Sequence, residues 1–142
     1  EQLEEITHAE SSIREAREPE ACSCDPVTAV GCKEALRIRG GIAENIHPGR
    51  PSGFGSVFFL HTLNGFLFAL RTCRAPFVDM DPLNSQAYYN ASLGNPWEYY
   101  FEPVQRRWQS EKELPVRNFT DWEIMFAQHR EPWALHVPWS GE

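Results

Sequence analysis

The fold of this protein is decided by residues 53–81, which read GFGSVFFLHTLNGFLFALRTCRAPFVDMD. The opening glycines permit a sharp turn and let a ligand approach the main chain closely. Ser56 can cap a helix, and residues 57–72 follow at helical length with apolar side chains on almost every side, as in a helix packed between a sheet and another layer. Residues 75–81 are a short apolar run that ends in acid, which predicts a buried strand. This order of loop, helix and strand predicts an α/β fold with a partial Rossmann-like unit.

The composition is that of an ordinary globular domain. The chain has 142 residues, of which 42% are hydrophobic and 23% are charged, enough for one domain with a substantial core. There are 13 Lys and Arg against 20 Asp and Glu, for a net charge of −7. This balance argues against a general nucleic-acid binder, because nothing in it would neutralise a run of phosphates. Residues 1–20 alone hold seven Glu and two Arg, which is −5 of the −7.

Four segments of the chain differ in composition. Residues 1–20 read as an acidic helical arm, and residues 21–52 as a loop region rich in Cys, Gly and Pro. Residues 53–104 contain the Rossmann-like core, and residues 105–142 form an extension rich in Trp and Pro. The 11 Pro and the 13% of aromatic residues predict loop-rich flanks with aromatic anchors around that core.

Further short elements are predicted outside residues 53–81. The apolar spacing near the start of the chain predicts a helix over residues 1–18, and a short capped helix is predicted over residues 121–128. Residues 104–117 are polar and mixed, and they predict no regular element. Two assignments stay open: residues 33–39 as a short helix or strand, and residues 96–101 as a short helix or an extended aromatic segment.

The chain contains four cysteines, which are the disulfide candidates: Cys22, Cys24, Cys32 and Cys73. The first three lack the paired C-x-x-C spacing of a structural zinc site, so no metal is expected. Two disulfides are expected in an oxidising compartment, with three connectivities open, although a bridge between Cys22 and Cys24 would be strained. The sequons at Asn90 and Asn118 make both residues glycosylation candidates and favour the same compartment.

The expected location is therefore the secretory pathway, either lumenal or extracellular, with an organelle lumen as the alternative. No targeting segment is visible in the sequence. The most apolar stretch, residues 57–70, is shorter than the ~20 residues of a spanning helix and is interrupted by His61 and Asn64. No membrane span is expected.

Several segments of the chain, taken in order, resemble one superfamily of enzymes. A Gly-Phe-Gly-Ser turn at residues 53–56 opens a long helix, a strand follows over residues 74–79, and residues 95–103 read NPWEYYFEP. This succession resembles the N-terminal part of fucosyltransferase-like glycosyltransferases, of the α1,6- and protein O-fucosyltransferase type. The resemblance covers roughly residues 50–104, about a third of the chain.

The resemblance implies a GT-B architecture, in which two Rossmann-like halves enclose a cleft. It also implies inverting transfer of fucose from GDP-fucose, with no metal or other cofactor. The loop that lines the cleft carries over as the substrate-binding residues Gly53, Phe54, Gly55 and Ser56. The chain departs from the pattern at Ser56-Val57, where many members have an amide side chain, and nothing after residue 104 matches the donor-binding half. The chain is therefore expected to be a fragment of a longer enzyme or a degenerate half, with its catalytic residues unknown.

Two further residues are candidates for substrate binding, His61 and Asp79. His61 lies on the predicted buried helix, where a histidine satisfied within the core is the simpler interpretation. Asp79 ends the predicted strand, where carboxylates often line the cleft of an α/β fold. The simpler interpretation of Asp79 is an acid that caps a helix or faces solvent in a loop.

The Pro-rich C-terminal segment contains three candidates for docking to other protein subunits: Trp133, His136 and Trp139. Two main functions stay open. The first is a glycosyltransferase-related protein that transfers a sugar from a nucleotide donor to a hydroxyl acceptor. The second is a non-catalytic accessory subunit of a larger assembly, which docks through its acidic arm and its aromatic tail. A small disulfide-stabilised secreted binding domain is a third hypothesis.

Overall fold

The computed structural model of the protein describes residues 1–19, 21–39, 59–80, 92–103 and 114–135. These residues form α-helices, β-strands and a 3-10 helix. The helices are α1 (Gln2–Arg17), α2 (His61–Arg71) and α3 (Asp121–Arg130). The strands are β1 (Glu34–Ile38), β2 (Arg74–Val78) and β3 (Val116–Asn118), and the 3-10 helix spans Pro96–Tyr99.

The strands of the described residues form one parallel sheet in the order β2-β1-β3. In the central strand, Leu36 lies opposite Pro76 of β2 and opposite Arg117 of β3. Parallel neighbours cannot be joined by a tight hairpin, and the chain passes through α2 on its way from β1 to β2. This sheet confirms the predicted α/β class. The glycine-rich loop at residues 53–56, on which the Rossmann-like prediction depends, lies outside the described residues.

Two strands bear on assignments made from the sequence. Residues 33–39, open between helix and strand, contain the central strand β1. Residues 104–117, for which no element was predicted, contain the start of β3. The sequence of β3 is Val-Arg-Asn, which has no apolar run, so its place in the sheet depends on its pairing with β1 and not on a local pattern.

One face of the sheet is covered by the helices. Because successive strand residues point to opposite faces, Leu36, Ile38 and Val78 share this face. They pack with Phe68 of α2 and Ile13 of α1 in the main hydrophobic core. The main core is therefore a layer between the sheet and the helices.

The opposite face of the sheet buries a smaller cluster. Ala35 and Phe77 of the sheet, together with Ala75, pack against Ala29 and Cys32 of the disulfide-bonded loop. The Cys-rich loop thus covers the face that the helices leave open.

Helix α1 forms where the sequence predicts it, but it belongs to the core and is not a free arm. Ala9, Ile13 and Ala16 are buried along one side of the helix, and the small side chains of the two alanines let α1 pack closely against α3. Leu3, which the predicted apolar stripe includes, is 74% exposed. Ile6 is the first residue of that stripe to contact the core.

Gly65 sets the close approach of α2 to the central strand. A Cβ atom at Gly65 would lie 2.8 Å from both Cδ1 and Cγ1 of Ile38, closer than real Cβ contacts occur. Glycine is needed here for space, since it lies within the helix and not at a turn. Helix α2 consequently packs tightly against β1.

Within the described sheet β2 is an edge strand, and the side chain of Asn95 caps its outer side. Its Nδ2 donates to the carbonyl of Val78 at 2.7 Å, and its Oδ1 accepts from the backbone N–H of Met80 at 3.2 Å. The same Oδ1 accepts from the N–H of Trp97 at the start of the 3-10 helix. Asn95 therefore makes the bonds that a further strand would make at this point, and further pairing beyond β2 is blocked there.

The four cysteines form two disulfides, Cys22–Cys73 and Cys24–Cys32. The first joins the loop after α1 to the junction of α2 and β2, and the second closes a small loop. Two disulfides fit a secreted or lumenal protein, as the sequence predicts. Within the described part of the chain, no helix is long and apolar enough to cross a bilayer.

Candidate functional site

A cavity of about 330 Å³ opens at the carboxyl ends of β1 and β3. Eight residues line this carboxyl-edge cavity: Glu5, His8, Arg39, Asn118, Phe119, Thr120, Asp121 and Trp122. In open parallel sheets, ligands bind at this edge because the loops after the strands converge there. The position of the cavity makes it the candidate site.

Each wall of the carboxyl-edge cavity comes from a different element. Glu5 and His8 lie three residues apart on α1 and so share one side of that helix. Arg39 directly follows β1, and Asn118 ends β3. The first turn of α3 supplies the remaining wall. The parallel register, in which Arg37 lies opposite Asn118, brings the ends of the two strands to the same level.

The chemistry of the lining is mixed. Glu5 and Asp121 are acidic, Arg39 is basic, and His8 adds an imidazole. Asn118 adds an amide, and the indole of Trp122 adds an aromatic face. Carboxylates and amides bond the hydroxyls of a polar ligand, while an aromatic face packs against its apolar side. The lining therefore suits a neutral or zwitterionic ligand with several hydroxyls better than a bare anion.

The first turn of α3 is held by a capping box. The Thr120 hydroxyl accepts from the N–H of Glu123 at 3.2 Å, and Glu123 Oε1 accepts from the N–H of Thr120 at 3.0 Å. These bonds satisfy donors that would otherwise be unpaired at the start of the helix. They also hold the wall of the cavity formed by Asp121 and Trp122.

A buried polar network supports that wall from behind. Arg117 donates to Glu123 and also to the hydroxyl of Ser12 on α1, at 2.9 Å. The guanidinium of Arg117 lies 5.4 Å from the ring centre of Phe68. The guanidinium of Arg74 lies 5.7 Å from the same ring centre and donates to Glu34 at 2.7 Å. Strands, α1 and α3 are thus tied together beneath the cavity.

Of the substrate-binding candidates, the two that the structure describes, His61 and Asp79, do not line this cavity. His61 is 2% exposed at the start of α2, and it is not among the residues that line the cavity. Asp79 follows β2 at the carboxyl edge of the sheet, where it is exposed and pairs with Arg37 at 3.6 Å. Residues 53–56, which include Gly53, Phe54, Gly55 and Ser56, lie outside the described residues.

The docking candidates can be placed only in part. Trp133 is half-buried, packs against the main core, and lies under the guanidinium of Arg71 at 5.6 Å. Two residues further on, the backbone of Leu135 exchanges two hydrogen bonds with the amide of the buried Asn64. The start of the C-terminal segment is therefore anchored to α2. His136 and Trp139 lie outside the described residues.

Of the two sequons, Asn118 is described, and it is exposed at the rim of the carboxyl-edge cavity. Asn90 lies outside the described residues. No group of His, Cys, Asp or Glu side chains that could hold a metal ion occurs within the described ranges.

Most residues of the cavity were not predicted from the sequence. The sequence predicts Glu5 and His8 to be part of a solvated acidic arm, and it predicts no regular element in the segment that leads into Asn118. One local signal existed: the predicted helix cap before residue 121 places Asp121 and Trp122 at a helix start. That a parallel strand directly precedes this helix start follows only from the sheet pairing.

Comparison of the chain with protein-family models, with curated proteins and with solved structures finds no match.

Proposed function

We propose that the protein is a glycosyltransferase-related protein of the fucosyltransferase-like kind, and that the carboxyl-edge cavity holds the sugar or the hydroxyl acceptor. The observation that carries the proposal is the position of this mixed polar and aromatic cavity at the carboxyl ends of β1 and β3 in a parallel sheet. The resemblance of residues 50–104 to that superfamily supports it independently of the cavity.

The lining residues take distinct parts in this proposal. Trp122 packs against the apolar side of a sugar ring, and Asp121 bonds its hydroxyls. Arg39 is the nearest charge for a diphosphate, because a guanidinium binds phosphate oxygens in a bidentate manner. His8, together with Glu5, faces the acceptor hydroxyl as a proton acceptor.

The transfer itself is a displacement at the anomeric carbon. The acceptor oxygen forms a bond to C1 of the sugar, the bond from C1 to the diphosphate breaks, and the diphosphate leaves with the electron pair. The acceptor proton passes to a base on the protein. Both substrates need more enclosing surface than one small sheet provides, so the proposal assigns binding to this chain and completion of the site to a second Rossmann-like half.

Binding tests this proposal directly. The chain, produced without glycans in an oxidising host, is titrated with GDP-fucose, GDP and a methyl fucoside by isothermal calorimetry and by NMR. We expect Asp121→Asn to weaken binding about tenfold or more, because it removes a charge-assisted hydrogen bond. Glu98→Gln is the matched control, since Glu98 is also an acid in the first turn of a helix and does not line the cavity.

Two results would contradict the proposal. One is the absence of binding by any of these ligands at millimolar concentration. The other is binding that Glu98→Gln weakens as much as Asp121→Asn does.

The accessory-subunit hypothesis remains the alternative. Of its two docking surfaces, α1 uses one side to pack in the core, and Trp133 is held against Arg71. A partner would therefore have to contact the outer side of α1 or residues beyond 135. Absence of sugar and nucleotide binding, together with purification only as a complex, would favour this alternative.

A further inference from the structure

Asn118 differs from the other described asparagines in the use of its amide. Asn64 is buried and bonds the backbone of Leu135 with both amide atoms, and the amide of Asn95 caps the edge of β2. The side chain of Asn118 is exposed and makes no hydrogen bond with any described residue. Its amide is available for another use.

The sequence around these residues makes the same distinction. Asn118-Phe119-Thr120 is an acceptor sequon for N-linked glycans, whereas Asn64 is followed by Gly-Phe and Asn95 by Pro-Trp. Among the described asparagines, Asn118 is therefore both the one with an exposed, unbonded amide and the one that lies in a sequon.

The position of Asn118 in the sheet leaves room for a bulky group. β3 lies at an edge of the described sheet, and it pairs with β1 on its inner side, where the N–H of Phe119 donates to the carbonyl of Arg37. In the register of the sheet, Asn118 lies on the face opposite to the helices, because Leu36 and Arg117 occupy the helix-covered face. A substituent on its amide would not displace a core residue.

The disulfides indicate the kind of compartment in which the chain matures. All four cysteines are paired, which indicates maturation where thiols are oxidised, and N-linked glycans are added to secreted chains in such a compartment. We propose that Asn118 carries an N-linked glycan and that this glycan covers the mouth of the carboxyl-edge cavity.

The modification is a group transfer from a polyisoprenyl diphosphate-linked oligosaccharide. The amide nitrogen of Asn118 forms a bond to C1 of the first sugar, and the bond from C1 to the diphosphate breaks. The diphosphate leaves with the electron pair, and the amide loses one proton. In the unfolded chain, the hydroxyl of Thr120 is the part of the sequon by which the transferring enzyme recognises Asn118. After folding, the same hydroxyl caps α3.

The cover follows from the place of attachment. Asn118 and Trp122 both line the carboxyl-edge cavity, so a glycan on Asn118 starts at the rim and reaches over the indole. Aromatic faces pack well against sugar rings. An effect of this cover on the entry of a sugar ligand would rest on the proposed function, but the attachment and the cover do not.

Intact-mass and peptide analysis of the full chain, secreted from eukaryotic cells, tests the attachment. We expect a glycan on the peptide that contains Asn118, removed by the amidase PNGase F. Asn118→Gln should lose it, while Asn90→Gln should keep it. Thr120→Ser should also keep it, because serine retains both the sequon and the helix cap. A fully unmodified Asn118 peptide in the secreted protein would overturn the proposal.

Oxidative footprinting tests the cover. Trp122 should be labelled several-fold less in the glycosylated protein than in Asn118→Gln, while labelling of Trp133 should be equal in both. Equal labelling of Trp122 would overturn the cover. Thermal melting of Asn118→Gln checks that the variant is folded.

The failure of this inference can be told apart from that of the proposed function. Binding of GDP-fucose by the chain produced without glycans tests the proposed function in a protein whose cavity is uncovered and whose Asn118 is unchanged. A glycan found by mass on the secreted protein, with a protected Trp122 and no binding by the glycan-free chain, supports this inference and contradicts the proposed function.

Discussion

Arg117 and Glu123 form a bidentate ion pair inside the protein, with Nη2 2.6 Å from Oε2 and Nη1 3.2 Å from Oε1. The side chain of Glu123 is 0% exposed. The same carboxylate closes the capping box with Thr120, and the same guanidinium donates to Ser12. One pair therefore joins β3, α1 and α3, which are walls of the carboxyl-edge cavity.

Removal of one partner of this pair should be strongly destabilising. Glu123→Gln keeps the size of the side chain but removes the bidentate partner of Arg117, which also lies 4.0 Å from the carboxylate of Glu34. Breaking a buried pair of this kind costs about 3–5 kcal/mol. Urea denaturation at neutral pH measures the loss. The control is Glu10→Gln, which breaks the exposed pair with Arg130 and should cost about 0–1 kcal/mol. Similar losses in the two variants would contradict the assigned role.

Gly65→Ala should push α2 away from the central strand. The new methyl group meets Ile38, and overpacking of this kind costs about 1–3 kcal/mol, against a gain of about 1 kcal/mol for alanine in a helix. We expect a net loss in the free energy of unfolding. Ile38→Val should recover part of this loss in the double variant, since neighbouring sites couple. A gain in stability from Gly65→Ala alone would contradict this prediction, because it would show that α2 can move away from β1 without a loss of free energy.

The two disulfides should differ in their contribution to stability. Cys22 and Cys73 are 51 residues apart, and Cys24 and Cys32 are 8 apart. The entropy removed from the unfolded chain corresponds to about 4 kcal/mol for the longer loop and about 2.5 kcal/mol for the shorter one. The double serine variant at 22 and 73 should therefore melt at a lower temperature than that at 24 and 32. The reverse order would contradict the loop-closure explanation.

Asp25 should make stability fall in acid. The backbone N–H of Val27 donates to its carboxylate at 2.9 Å, and this bond, with further bonds from Thr28, lowers the pKa of Asp25. Since the pKa is lower in the folded state, the stabilising effect is present above the unfolded pKa of about 3.9 and is lost as the pH falls through the folded value.

The variant Asp25→Asn tests this effect. The difference in melting temperature between the native protein and Asp25→Asn should be largest near neutral pH, should begin to shrink below about pH 4, and should disappear once the pH has fallen through the lower folded pKa. Melts recorded from pH 7 to pH 2 measure it. A difference that stays constant over this range would rule out the ionised carboxylate as its cause.

The elements that the sequence predicted are those with a strong local signal. The long apolar run before residue 72 predicts α2, the short run after it predicts β2, and a cap at either Thr120 or Asp121 predicts the start of α3. The helix over residues 1–18 was predicted, but its packing was not, because Ala9 and Ala16 contribute little to an apolar stripe and yet permit a close helix contact. β3 was missed because three residues with one arginine and one asparagine have no strand pattern.

By itself, the sequence predicted the α/β class, the two disulfides expected of four cysteines in an oxidising compartment, and the sequon at Asn118. These depend on local spacing and on residue chemistry, which are readable along the chain. Only the tertiary structure decided the disulfide pairing, the role of Gly65 and the cavity. Each of these depends on residues distant in sequence that parallel pairing and helix packing bring together: Cys22 meets Cys73, Gly65 meets Ile38, and Glu5 and His8 meet Asn118.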